Sequence, residues 1–109
     1  MEHCDAGRGE AVGVVSFHAD TPESYRNTIV TGDARLLAQS IPDESVDMLF
    51  TDPPYLMEFL PCYRVLAETA VRVLKPGAYL FAYCATEHLP TTLDLMRVDG
   101  LAFFWLEVM

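Results

Sequence analysis

Val46-Asp47-Met48-Leu49-Phe50-Thr51-Asp52-Pro53-Pro54-Tyr55 is the stretch on which the reading of this chain turns. Its first five residues make a strand-like, mostly apolar run, and the run ends in a carboxylate, two prolines and an aromatic ring. An ordinary turn does not need that combination. Each proline fixes its own φ, lacks a backbone N–H and pushes the residue before it into an extended conformation. Asp52 and Tyr55 are therefore expected on a stiff, acceptor-rich lip at the end of a strand, where a carboxylate, peptide carbonyls without competing donors and a ring face come together.

Such a lip suits a primary amine carried on a flat ring. The exocyclic nitrogen of adenine or cytosine is a poor nucleophile because its lone pair is delocalised into the base. Two acceptors that grip its hydrogens draw the nitrogen towards a tetrahedral geometry and let it attack an electrophilic methyl group. Asp52 and the carbonyl of Pro53 would be those acceptors, and Tyr55 would stack on the base. Each charge-assisted hydrogen bond contributes roughly 1.5–3 kcal/mol, and acceptors preset where positive charge develops act without reorganising.

On these residues the chain resembles the S-adenosylmethionine-dependent amino-methyltransferases, the DNA adenine-N6 and cytosine-N4 enzymes most closely. Asp52-Pro53-Pro54-Tyr55 matches their catalytic motif. Upstream, Asn27-Thr28-Ile29-Val30-Thr31-Gly32-Asp33-Ala34 looks like the family's strand ending in Gly-Asp, and Ile41-Pro42-Asp43-Glu44-Ser45-Val46-Asp47 like its lead into the catalytic strand. Downstream, Arg72-Val73-Leu74-Lys75-Pro76-Gly77 resembles the end of its next helix, so the likeness runs in register from residue 27 to about 84. The resemblance implies an α/β fold, part of a Rossmann-like methyltransferase domain with a mostly parallel sheet. It further implies catalytic roles for Asp52, Pro53, Pro54 and Tyr55, a methyl donor, S-adenosylmethionine, held near Asp33 and Asp52, and DNA as the partner. No metal is implied.

Length and charge narrow this. A chain of 109 residues makes one small domain, and although 51% hydrophobic residues suffice for a core, a complete methyltransferase with a DNA-reading region needs more chain. The formal net charge is −9, with seven Lys and Arg against sixteen Asp and Glu. Duplex phosphates are bound by clustered cations, so DNA is expected to be engaged through a recognition region outside this sequence. Cys4, Cys62 and Cys84 are odd in number, far apart and without metal-ligand spacing, which reads as reduced thiols in a cytoplasmic protein. The apolar runs at 79–85 and 101–106 are too short to cross a bilayer.

Taken in order, residues 1–26 read as an N-terminal tail and one short strand, and 27–109 as a partial catalytic domain. Asp5-Ala6-Gly7-Arg8-Gly9-Glu10 superficially resembles a glycine-rich cofactor loop, but no buried strand can precede it, so it reads as a flexible tail. His3 and His18 read as surface residues, Val12–Phe17 as a strand and Thr21-Pro22-Glu23-Ser24 as a turn. Thr28–Thr31 is expected to be the next strand, followed by a helix from Ala34 to Ile41. Asp33 then either caps that helix or, by resemblance, lies near the adenine or ribose end of the donor, and the two roles are compatible. Phe59, Tyr63, Leu66, Ala70 and Val73 recur at helical spacing, so a helix spans Glu58 to Leu74 with Tyr63 in its core face. Lys75-Pro76-Gly77 stops it, and Ala78–Cys84 reads as a strand buried on both faces. A helix over 86–98 and a final strand over 101–108 follow.

Three functions compete on this basis. The first is a DNA amino-methyltransferase segment. A second is the same chemistry on ribosomal RNA or on a protein glutamine, where Asn more often stands at the position of Asp52. A third is an inactive remnant, or a half completed by a second polypeptide, which the acidic charge and the missing glycine-rich loop of the family favour over an autonomous enzyme.

Overall fold

The computed structural model describes residues 12–17 and 26–108, the former through their backbone. The expectations for residues 1–10, His18, Cys4 and the turn at Thr21–Ser24 lie outside the described residues. Strand β1 (Val12–Phe17) is followed by a short helix α1 (Ala34–Leu37) that continues as a 3₁₀ turn over Ala38–Ser40. Strand β2 (Val46–Asp52), helix α2 (Cys62–Val73), strand β3 (Leu74–Ala82) and helix α3 (Leu89–Leu95) complete the order.

The sheet runs β1-β2-β3, with β2 in the middle. β2 and β3 are parallel, joined by α2 as a crossover, and β1 lies antiparallel on the other side of β2. The expectation of a mostly parallel sheet is thus corrected to a mixed one. Its parallel half is the part that the crossover helix dictates, because parallel neighbours need a long connection and antiparallel ones do not.

Helix α2 begins after Pro61, which stands at its N-cap where the ring's missing N–H costs nothing. Its buried residues are Tyr63, Ala67, Ala70 and Val73, spaced four and three apart. Two alanines in the middle of that stripe let the helix lie close on the sheet. Val46, Leu49, Ala70, Val73 and Leu74 form the core, with Ile41, Leu66, Ala78 and Leu80 packed around it. Val46 and Val73 are almost wholly shielded, and burying a side chain of that size contributes about 1.5–3 kcal/mol.

Register breaks once along the parallel pair. Val46 faces Leu74, but Met48 faces Tyr79, so Lys75-Pro76-Gly77 bulges out of β3. Gly77 has φ 84°, a conformation open to glycine and strained for other residues. The turn before β2 is fixed by Arg72, whose guanidinium donates to the carbonyls of Ile41 (2.7 Å) and Ala38 (2.6 Å) and to Asp43 Oδ1 (2.9 Å). Backbone bonds from Glu44 to Arg72 O and from Ser45 to Val73 O, both 2.9 Å, complete that junction.

Other expectations need correction. Thr28–Thr31 forms no strand: Thr28, Ile29, Val30 and Thr31 are exposed, and no described neighbour offers them a ladder. Leu101–Val108 likewise lies outside the sheet. β3 is buried on one face only. Tyr79, Phe81 and Tyr83 are 37–50% exposed on the other, where they form an aromatic row with Phe50 and, through Tyr79 at 5.5 Å, with Phe104. No helix among the described residues packs on that row. Among the described residues Cys84 is a free cysteine.

Candidate active site

Asp52 is the last residue of β2, the central strand, and lies opposite Val12 of β1. On the other side the parallel ladder ends with Thr51 opposite Ala82. One more bond follows, from the Tyr83 N–H to Thr51 O at 3.1 Å. The carboxyl ends of two parallel strands therefore finish together, which is where open α/β sheets bind ligands.

The prolines do what their chemistry requires. Pro53 is buried and Pro54 half-buried, while the residues on either side, Asp52 and Tyr55, are exposed. Tyr55 folds back so that its hydroxyl donates to Asp52 Oδ1. That hydrogen bond, reinforced by the little burial the ring has and by the nearby carboxylate charge, pushes the Tyr55 phenol up to about 12. Tyr55 thus stays a neutral donor, and its ring remains 42% exposed. The structure thus brings Asp52 and Tyr55 together.

Asp33 sits elsewhere in the fold's logic. It caps α1, accepting from the Arg35 N–H at 2.9 Å on Oδ1 and from Arg35 Nη2 at 3.3 Å on Oδ2. With no strand formed at 28–31, it does not stand at the end of a sheet strand.

Two further residues border the lip. Tyr63 is 1% exposed and donates its hydroxyl to the Tyr83 carbonyl at 2.6 Å. Burial raises its pKa well above the ordinary tyrosine value, so it too remains protonated. Cys84, next in sequence, is half-buried, and burial pushes its thiol up, which keeps it from acting as a thiolate. Sequence reasoning places Tyr63 in the core correctly but misses its hydroxyl. The available signal is that a tyrosine stands in a stripe where phenylalanine would pack equally well.

Among the described residues no three His, Cys, Asp or Glu side chains gather as a metal ion would require. No helix among them is long and apolar enough to cross a membrane.

Comparison with known proteins decides the lineage. The chain is 32% identical over 82 residues to the type II methyltransferase M.BamHI of Bacillus amyloliquefaciens, covering 62% of this chain and 18% of that protein. It is 35% identical over 101 residues to M.BglII of Bacillus subtilis, covering 76% of this chain and 28% of that one. The chain is a relative of the type II DNA methyltransferases. A shorter match, 47% over 34 residues, joins it to M.HinfI of Haemophilus influenzae, covering 31% of this chain and 10% of that protein. This methyltransferase relative therefore spans 18% and 28% of the length of the first two. No family model matches it, and no solved structure is significantly similar.

Proposed function

We propose that this chain forms the amine-binding part of an S-adenosylmethionine-dependent DNA methyltransferase acting on adenine N6 or cytosine N4. The observation that carries the reading is the pairing of an exposed Asp52 carboxylate with an exposed Tyr55 ring at the carboxyl end of the central strand. An amine on a base must leave the helical stack before any enzyme can modify it. The lip offers such a flipped base an acceptor for its N–H and a flat surface for its ring.

In this reading the Asp52 carboxylate accepts one amine hydrogen, and the carbonyl of Pro53 accepts the other. The Tyr55 hydroxyl now occupying Asp52 Oδ1 is exchanged for the amine hydrogen, so the acceptor passes from one donor to another without being left bare. The Tyr55 ring, freed at its hydroxyl end, stacks on the base, a contact worth about 1–3 kcal/mol. Asp52 need not be a strong base, because the nitrogen is acidified once it carries the methyl group and its proton passes to water.

The residues present would suit S-adenosylmethionine, since an exposed carboxylate would attract a cationic ligand and acceptors would take ribose hydroxyls. Asp52 would lie beside the donor's charged end, and Asp33, which keeps lone pairs beyond its cap, would serve its ribose or adenine. The donor supplies an electrophilic methyl group on a sulfonium. With a net charge of −9 in this stretch, DNA phosphates are held by basic residues outside it.

The test is methyl transfer from labelled S-adenosylmethionine to duplex DNA, with Asp52→Ala beside wild type. Removing the acceptor should lower transfer on the order of 100-fold, while donor affinity by calorimetry changes by about threefold or less. Undiminished transfer by Asp52→Ala would refute the role of the carboxylate. Saturable donor binding without transfer would instead favour a half-enzyme that needs a second polypeptide.

A further inference from the structure

We propose that Tyr63 is a positioning residue for the Asp52 lip, its buried hydroxyl tying α2 to the carboxyl ends of β3 and β2 through the backbone of Tyr83. The inference rests on the reading that Asp52 and Tyr55 grip the target amine. It names a residue that acts through others and touches neither base nor donor.

Packing alone does not account for the hydroxyl. The other members of the buried stripe of α2 are Ala67, Ala70 and Val73, and a phenylalanine ring would fill the same space. A hydroxyl taken into the core is costly unless it finds a partner. Tyr63 finds the carbonyl of Tyr83 at 2.6 Å.

That carbonyl lies one residue beyond the last paired position of the parallel ladder. Strand ends fray where their carbonyls lose partners, so Tyr83 is where β3 would begin to part from β2. Both of its backbone groups are instead used, the C=O by Tyr63 and the N–H by Thr51 O at 3.1 Å. Thr51 is 4% exposed and immediately precedes Asp52. From the opposite face the Tyr83 ring packs edge-on against Phe50, centroids 5.5 Å apart. The helix, both parallel strands and the aromatic row thus converge on one residue, Tyr83, adjoining the lip.

Tyr63→Phe keeps the ring and removes only the oxygen. Hydrogen exchange of the Tyr83 amide is expected to accelerate about tenfold, the usual worth of one hydrogen bond. The Ser45 amide, bonded to Val73 O at the amino end of the same strands, should be unchanged, as should far-UV circular dichroism. Tyr83→Phe, which retains both backbone groups, should exchange like wild type. In methyl transfer to DNA, Tyr63→Phe should lower kcat about tenfold with the donor KM unchanged. Equal acceleration at Ser45 and Tyr83 would reduce Tyr63 to a general stabiliser and overturn the proposal, as would an unchanged Tyr83 amide or an unchanged kcat. If wild type transfers no methyl group, the functional reading fails by itself and the exchange pattern still decides whether the latch exists.

Discussion

Arg72→Met tests whether the turn that leads into β2 is held by one side chain. Methionine keeps most of the aliphatic stem, so the change isolates the guanidinium. Three hydrogen bonds disappear: to Ile41 O at 2.7 Å, Ala38 O at 2.6 Å and Asp43 Oδ1 at 2.9 Å. The bond to Asp43 is an exposed ion pair, since Asp43 is 75% exposed, and contributes about 0.5 kcal/mol. The two bonds to partly buried carbonyls would contribute roughly 1.5–3 kcal/mol each if fully shielded. With the Arg72 side chain 36% exposed, water replaces part of each, leaving about 1 kcal/mol apiece. The expected loss is therefore about 2–3 kcal/mol, or a fall in Tm of about 8–12 °C for a domain of this size. Urea unfolding followed by circular dichroism measures it, with Arg97→Met as the control because its pair with Asp94 is long, at 3.6 Å, and exposed on both sides. A loss for Arg72→Met no larger than for Arg97→Met would refute the staple and leave the turn to its own backbone bonds.

Tyrosinate absorbance should show one tyrosine titrating near 12, because the bond to Asp52 stabilises the protonated Tyr55 phenol; in Asp52→Asn that step should move down towards the ordinary 10.0. The sign follows from a raised folded-state value: the stability this bond adds is complete below pH 10.0 and disappears as pH rises to about 12. An unmoved titration in Asp52→Asn would contradict the pairing. Gly100→Ala should lower stability by about 1–3 kcal/mol, since Gly100 has φ 92° and a Cβ there would come within 3.1 Å of Val71 Cγ1. A thermal midpoint equal to wild type would show that the turn relaxes freely.

Much of the site was legible in the residues because its constraints are local. Pro53 and Pro54 restrict their own backbone and that of Asp52 whatever surrounds them, so an exposed carboxylate and ring at a strand end could be read without a fold. The helix of Tyr63 to Val73 was equally legible, since its apolar spacing and Pro61 act over single turns. Thr28–Thr31 shows where such reasoning ends. Its β-branched residues favour a strand, but a strand exists only where another backbone completes its ladder. Ala78–Cys84 erred for the same reason. Its continuous apolar run suggested cover on both faces, and the aromatic half of it lies open.

The sequence by itself determined the stiff lip at the end of β2 and the crossover helix. Each follows from side-chain chemistry acting over a few residues. Only the tertiary structure decided that β1 pairs antiparallel with β2, that Tyr55 donates to Asp52 and that Tyr63 reaches twenty residues along the chain to the Tyr83 carbonyl. Those are choices among partners remote in sequence or free to rotate, and they are made by whichever buried donor and acceptor the packed elements bring within reach.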